Sequence, residues 1–239
     1  MAQTSEQTFS DRSGRATTMN ETVNGFSPPF APGDVSLQYA NFKAYNGTCL
    51  DKNEQVGDFK QTYTTMAGQR FTHTKNIKDI TRRCKNYIES KKSLKPYLKT
   101  ANALSLKITN SPNKKPKAPS GSETGSETKK RNSGEQSYAD ISSNFKVFIN
   151  FLNGIGGGYD TPTSELQTAN LLPLQTGLVT FNEDLGELAG NVKVSGGQRK
   201  VLYDNEDGLK DKMKSIKRGV KSQYGPTSPE YNSIRLIKP

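Results

Sequence analysis

Shifting the chain by 129 residues lays much of it upon itself, and this self-similarity limits the available folds more than any other feature. Leu37-Gln38-Tyr39-Ala40-Asn41 pairs with Leu166-Gln167-Thr168-Ala169-Asn170, and the run Asn53 to Phe59 pairs with Asn182 to Leu188. Gly68-Gln69-Arg70 falls on Gly197-Gln198-Arg199 in the same register. Three additional residues then enter the second copy, after which Ile77 and Asp79 match Leu209 and Asp211, and Lys85 matches Lys217. The entrances correspond as well: Phe9 with Tyr138, and Asn24-Gly25 with Asn153-Gly154. Several separated matches in one register imply an internal duplication. The fold is then one that a unit of about 85 residues can build twice, over residues 9–95 and 138–225.

The second copy displays its elements most clearly. Ile141, Phe145, Phe148 and Leu152 recur at helical spacing before Asn153-Gly154. Thr161-Pro162 reads as an N-cap and first-turn proline for a segment with Leu166, Ala169, Leu174 and Leu178, which Pro173 should kink or shorten. A third segment from Asn182 holds Leu185, Leu188 and Val192. The fourth, Leu209, Met213, Ile216 and Val220, stops at Gly225-Pro226, and a short tail helix is expected behind Ser228-Pro229. The first copy repeats the plan with Leu37, Val56, Phe59, Ile77, Ile80, Cys84 and Ile88. Its opening stretch, Arg12 to Val23, is so poor in apolar residues that a lost or loosened helix is expected there.

The expected fold class is therefore all-α: tandem duplicated antiparallel bundles of four-helix type joined by a polar linker. A polar arm over 1–30 contains part of the first copy's opening helix, the helical repeats cover 31–109 and 138–239, and the linker covers 110–137. That linker is rich in Pro and Lys, then in Gly, Ser and Glu, and cannot bury apolar area.

At the C-terminal end, Val220-Lys221-Ser222, Tyr224-Gly225-Pro226 and Ser228-Pro229-Glu230-Tyr231 are followed by Ile234 and Leu236-Ile237. This stretch resembles bacterial two-repeat helical-bundle proteins of uncharacterised function that carry a VKxxxGxxSPEYxxI-type ending. The resemblance extends over about residues 30–239 and is specific only in the last forty or so. It implies a bacterial source and a helical fold, and it implies no activity.

Chemistry-bearing residues are sparse. The single histidine, His73, reads as an exposed connector, since acid–base or zinc chemistry ordinarily draws on more than one such group. In the repeat alignment Cys49 falls on Leu178 and Cys84 on Ile216, so both read as small core hydrophobes. Gly154 to Gly158 lacks the Lys-Ser/Thr of a phosphate loop and joins two helices, so it reads as an interhelical turn. Asp204, Glu206 and Asp207 complement the dipole at the start of the fourth helix. No catalytic residue, cofactor site or metal site is expected, and the chain is read as no enzyme.

The net charge of +11 gives a candidate contact surface. Most of it sits in residues 1–109, where 16 Lys/Arg face 9 Asp/Glu. Lys75, Lys78, Arg82, Arg83, Lys85, Lys91, Lys92, Lys95 and Lys99 are crowded together with Tyr87 and Tyr97. Arg70 and Arg199, equivalent in the two copies, are expected either to pair with a carboxylate across a bundle or to mark equivalent contact points. The polar N-terminus shows no Sec signal, leaving the cytoplasm or a non-Sec export route, and no stretch is long and apolar enough to span a membrane.

The functional expectation is a structural or scaffold protein. It would self-assemble into a filament, tube or particle, or decorate a larger body, with itself or another structural protein as partner. The alternative is a basic nucleic-acid-binding module, for which no recognition motif is present.

Overall fold

The computed structural model describes residues 5–109 and 137–239. All regular structure among them is helical. In chain order the helices are α1 (Ser5–Asn24), α2 (Tyr39–Ser90), α3 (Leu98–Thr109), α4 (Tyr138–Gly154), α5 (Thr168–Asp204), α6 (Leu209–Tyr224) and α7 (Pro229–Ile234). Single 3-10 turns at Val35–Leu37 and Ser164–Leu166 lead into α2 and α5, and a 3-10 stretch at Lys92–Tyr97 leads into α3. The expected linker falls on residues outside those described, apart from Ser137 at its end.

Several boundaries follow local chemistry. Ser137 and Asp140 form a reciprocal capping box at the start of α4, satisfying two of its free amides. α6 stops where Gly225 adopts φ +100°, a region closed to residues with a Cβ, and Pro226 follows. Ser228 caps α7, accepting from the Tyr231 amide, with Pro229 at the first helical position. Ahead of α5, Thr161 and Pro162 do not cap the helix as expected. Thr161 is buried in a turn, its Oγ1 accepting from Thr163, and α5 begins only at Thr168 and runs on through Pro173.

The expectation of four short helices per copy does not hold. The second, third and fourth segments of the first copy merge into α2, 52 residues long. No proline interrupts Tyr39 to Ser90, and an interior glycine such as Gly47, Gly57 or Gly68 costs a helix only about 1 kcal/mol, too little to break it. In the second copy the same path is interrupted once, between α5 and α6, where the three additional residues fall. Asp207 takes φ +62° there, and a Cβ on Gly208 would stand 2.8 Å from the Asn205 carbonyl, so the break needs glycine.

The described chain divides into two compact units that do not coincide with 31–109 and 138–239. A terminal unit combines the chain up to Tyr63 with Glu187–Pro239, and a central unit comprises Thr64–Gly186. Each unit thus draws on both copies, and α2 and α5 supply residues to both. The terminal core gathers Met19, Phe42, Cys49, Tyr203, Met213 and Val220. The central core gathers Ile77, Cys84, Ile88, Phe145, Phe148 and Leu178.

The opening stretch of the first copy is a full helix, contrary to expectation. α1 buries Ala16, Met19 and Val23 together with the polar Ser13 and Asn20. Hydrogen bonds make this polar face tolerable. The Ser13 hydroxyl meets the Tyr203 hydroxyl at 2.6 Å, Asn46 donates to the Ser13 carbonyl and to Thr17, and Asn20 donates to the Tyr39 carbonyl. A pattern read from apolar residues alone cannot register a helix packed in this way.

Candidate contact surfaces

Arg70 and Arg199 occupy matching surroundings. Arg199, only 5% exposed, donates from Nη1 to the Asn53 side-chain oxygen at 2.9 Å and lies 4.4 Å above the Phe9 ring. Arg70, half-buried, donates to the Asn182 side-chain oxygen at 3.3 Å and lies 3.9 Å above the Tyr138 ring. Each arginine thus counts a side-chain amide and an aromatic ring among its partners. Stacking suits the planar, weakly hydrated guanidinium in a partly desolvated setting, where the more strongly hydrated lysine ammonium would be disfavoured. Arg199, Asn53 and Phe9 lie in the terminal unit, and Arg70, Asn182 and Tyr138 lie in the central one. In each, the arginine comes from one copy and its amide and ring come from the other.

The correspondence continues outward from these arginines. Asn46 reaches Ser13 in one unit, and Gln175 donates to Ser142 at 3.1 Å in the other. Asn41 donates to the Val35 carbonyl at 2.9 Å, and Asn170 donates to the Ser164 carbonyl at 2.7 Å. Phe30 packs so closely on Gly219 that a Cβ there would meet its ring at 2.9 Å. At the matching place the Tyr159 ring stands edge-on to Tyr87, whose hydroxyl donates to the Asp160 carbonyl.

The basic residues of α2 separate into two groups. Arg83 pairs with Glu165 at 2.7 Å beside an open groove of about 440 Å3 lined by Asn76, Ile80 and Leu174. Lys85 pairs with Glu89 at 3.5 Å, and Lys91 lies over the Tyr87 ring and reaches the Asp160 carbonyl. Lys75, Lys78 and Arg82 have neither ion pair nor hydrogen-bond partner among the described residues. Lys92, Lys95 and Lys99 are exposed beyond the end of α2. One member of this surface was missed in the sequence: Phe71, 62% exposed, sits four residues before Lys75 on the same face. Its spacing was visible, but an aromatic residue reads by default as core.

His73 is not a connector. It lies within α2, half-buried, with Nε2 2.7 Å from the Leu174 carbonyl and its ring edge-on to Phe181. Gly177 leaves room for that ring, since a Cβ there would stand 3.2 Å from its Cε1. Both cysteines are free and fully buried. Burial pushes the Cys49 thiol up to about 12 and the Cys84 thiol up to about 11. The acidic cluster has a structural contact as well: Asp204 ends α5 and pairs with Arg12 of α1 at 2.7 Å.

Among the described residues no group of three His, Cys, Asp or Glu side chains is placed to hold a metal ion. No helix among them is long and apolar enough to cross a membrane. No known protein family, no curated protein and no solved structure matches the chain.

Proposed function

We propose that the chain is an internally duplicated, non-enzymatic scaffold protein that joins copies of itself, or a structural partner, into a larger assembly. One observation carries this reading: the arginine–amide–ring arrangement at Arg199, Asn53 and Phe9 recurs at Arg70, Asn182 and Tyr138. The two sets stand 129 residues apart, as do Asn46 with Gln175 and Asn41 with Asn170. The arginine contacts cross between the copies, so that each copy supplies the arginine for an amide and a ring of the other. Two similar units in one chain offer two quasi-equivalent surfaces. Like-to-like contacts through such surfaces give a closed particle when the rotation closes, and a filament or tube when it does not.

The test is the mass of the purified chain by size-exclusion with light scattering across a wide concentration range, followed by negative-stain imaging. Concentration-dependent growth into particles or filaments of repeating spacing is expected. A monodisperse monomer at every concentration and salt would overturn the self-assembling form of the proposal.

A further inference from the structure

The outer face of α2 within the central unit carries a straight row at alternating intervals of four and three residues: Phe71, Lys75, Lys78, Arg82, Lys85 and Glu89. That spacing keeps side chains in line on one helical face. The opposite face, with Ile77, Ile80, Cys84 and Ile88, is packed in the core. At about 1.5 Å per residue, Lys75 to Lys85 spans about 15 Å. Neighbouring cations on the row stand about 4.5–6 Å apart along the axis, a spacing that side chains as long as Lys and Arg can match to successive phosphates.

A matching row lies in the terminal unit. Lys78, Arg82 and Lys85 correspond to Lys210, Lys214 and Lys217, and Glu89 corresponds to Lys221. There the chain's own C-terminal segment engages two of these four, while Lys210 and Lys214, like Lys78 and Arg82, have no partner among the described residues. Lys217 donates to the Arg235 carbonyl at 2.8 Å, and Lys221 lies 5.8 Å from the Tyr231 ring centre. In the central unit Lys75, Lys78 and Arg82 remain without partners among the described residues. The ion pair of Lys85 with Glu89 is solvent-facing and cheap to exchange.

We infer that this row is a binding site for a single strand of nucleic acid, with Lys75, Lys78, Arg82 and Lys85 on consecutive phosphates and Phe71 stacking on a base. The exposed ring at the head of the row gives a π-face to any base, as single-strand binders do. The geometry disfavours a membrane surface. Interfacial helices lay an apolar face into the lipid, and the apolar face of this segment is already buried.

The test uses the full chain and a fluorescently labelled oligothymidine of about 20 nucleotides, read by anisotropy at several salt concentrations. With three or four contacts, log affinity should fall against log salt with a slope of about −2 to −3. Lys78→Ala with Arg82→Ala should weaken binding roughly 10- to 30-fold at 0.1 M salt and flatten the slope by about 1.4. Phe71→Ala should weaken it by about 10-fold with the slope unchanged. Lys193→Ala with Lys200→Ala removes the same charge from exposed positions of α5 and should change affinity by less than about 2-fold. Circular dichroism confirms that each variant is folded, and Lys78→Gln with Arg82→Gln replaces any pair that is not.

Equal losses from the α5 pair and the row pair would overturn the site, since binding would then track net charge alone. So would unchanged binding in the row variants, or no binding by the wild-type chain. Polyglutamate displacing the strand at equal charge would assign the row to acidic polypeptides instead, and binding confined to phosphatidylserine vesicles would assign it to lipid. Either outcome refutes the nucleic-acid assignment.

Discussion

Tyr203 is the most informative residue to alter in the terminal unit. It is fully buried and joins three helices: its hydroxyl donates to the Cys49 carbonyl at 3.1 Å and lies 2.6 Å from the Ser13 hydroxyl. A phenol carries one proton, so with that proton on the Cys49 carbonyl it must accept from Ser13. Removing the hydroxyl in Tyr203→Phe leaves neither neighbour stranded. The Cys49 carbonyl lies within α2, where it also faces the amide one turn on, and Ser13 can turn its proton to a carbonyl of the preceding turn in α1. The cost should therefore sit near the low end for a lost buried hydrogen bond, about 1 kcal/mol. In a chain of this size that lowers the melting temperature by about 2–4 °C. Tyr203→Ala also deletes a ring packed edge-on to Phe9 at 4.7 Å and should cost about 3–5 kcal/mol. Urea denaturation of wild type, Ser13→Ala, Tyr203→Phe and the double variant closes a cycle. Its expected coupling is about 0.5–1 kcal/mol. Strict additivity of the two single substitutions would refute the shared hydrogen bond, and a Tyr203→Phe loss above about 3 kcal/mol would refute the proton assignment.

Two further expectations use the same denaturation assay. Arg199→Ala should cost about 2–3 kcal/mol and Arg70→Ala about half as much, because both lose a stacked guanidinium but only Arg199 is nearly sealed from solvent; equal or reversed losses would refute the role given to burial. Stability should also fall as pH rises from about 9 towards 11–12, because the folded state holds the Cys49 and Cys84 thiols protonated, up to about 12 and 11, while the unfolded chain releases those protons first. Each thiol adds at most about 1.4 kcal/mol per pH unit to that decline, and a slope unchanged in Cys49→Ala and Cys84→Ala would show that other groups govern it.

What the sequence by itself determined lies where local chemistry is decisive. The apolar spacing from Ile141 to Leu152, the Gly225-Pro226 stop and the Ser228-Pro229 start correspond to α4, the end of α6 and the start of α7. Each depends on residues within one or two turns of one another. The repeat register also placed Cys49 and Cys84 on apolar positions, and both are buried.

Only the tertiary structure decided the remainder, because the deciding partners are distant in the chain. Whether glycines such as Gly57 and Gly68 end a helix depends on what packs against it, and α2 continues through both. Whether Arg12 to Val23 forms a stable helix depends on Tyr203 and Asn46 offering hydrogen bonds to a polar face. The register paired Arg70 with Arg199, yet Asn182 and Asn53, which accept from them, lie more than a hundred residues away along the chain. The basic row was legible as composition. What its members meet was not: Lys85 pairs with Glu89, and Lys217 donates to the Arg235 carbonyl.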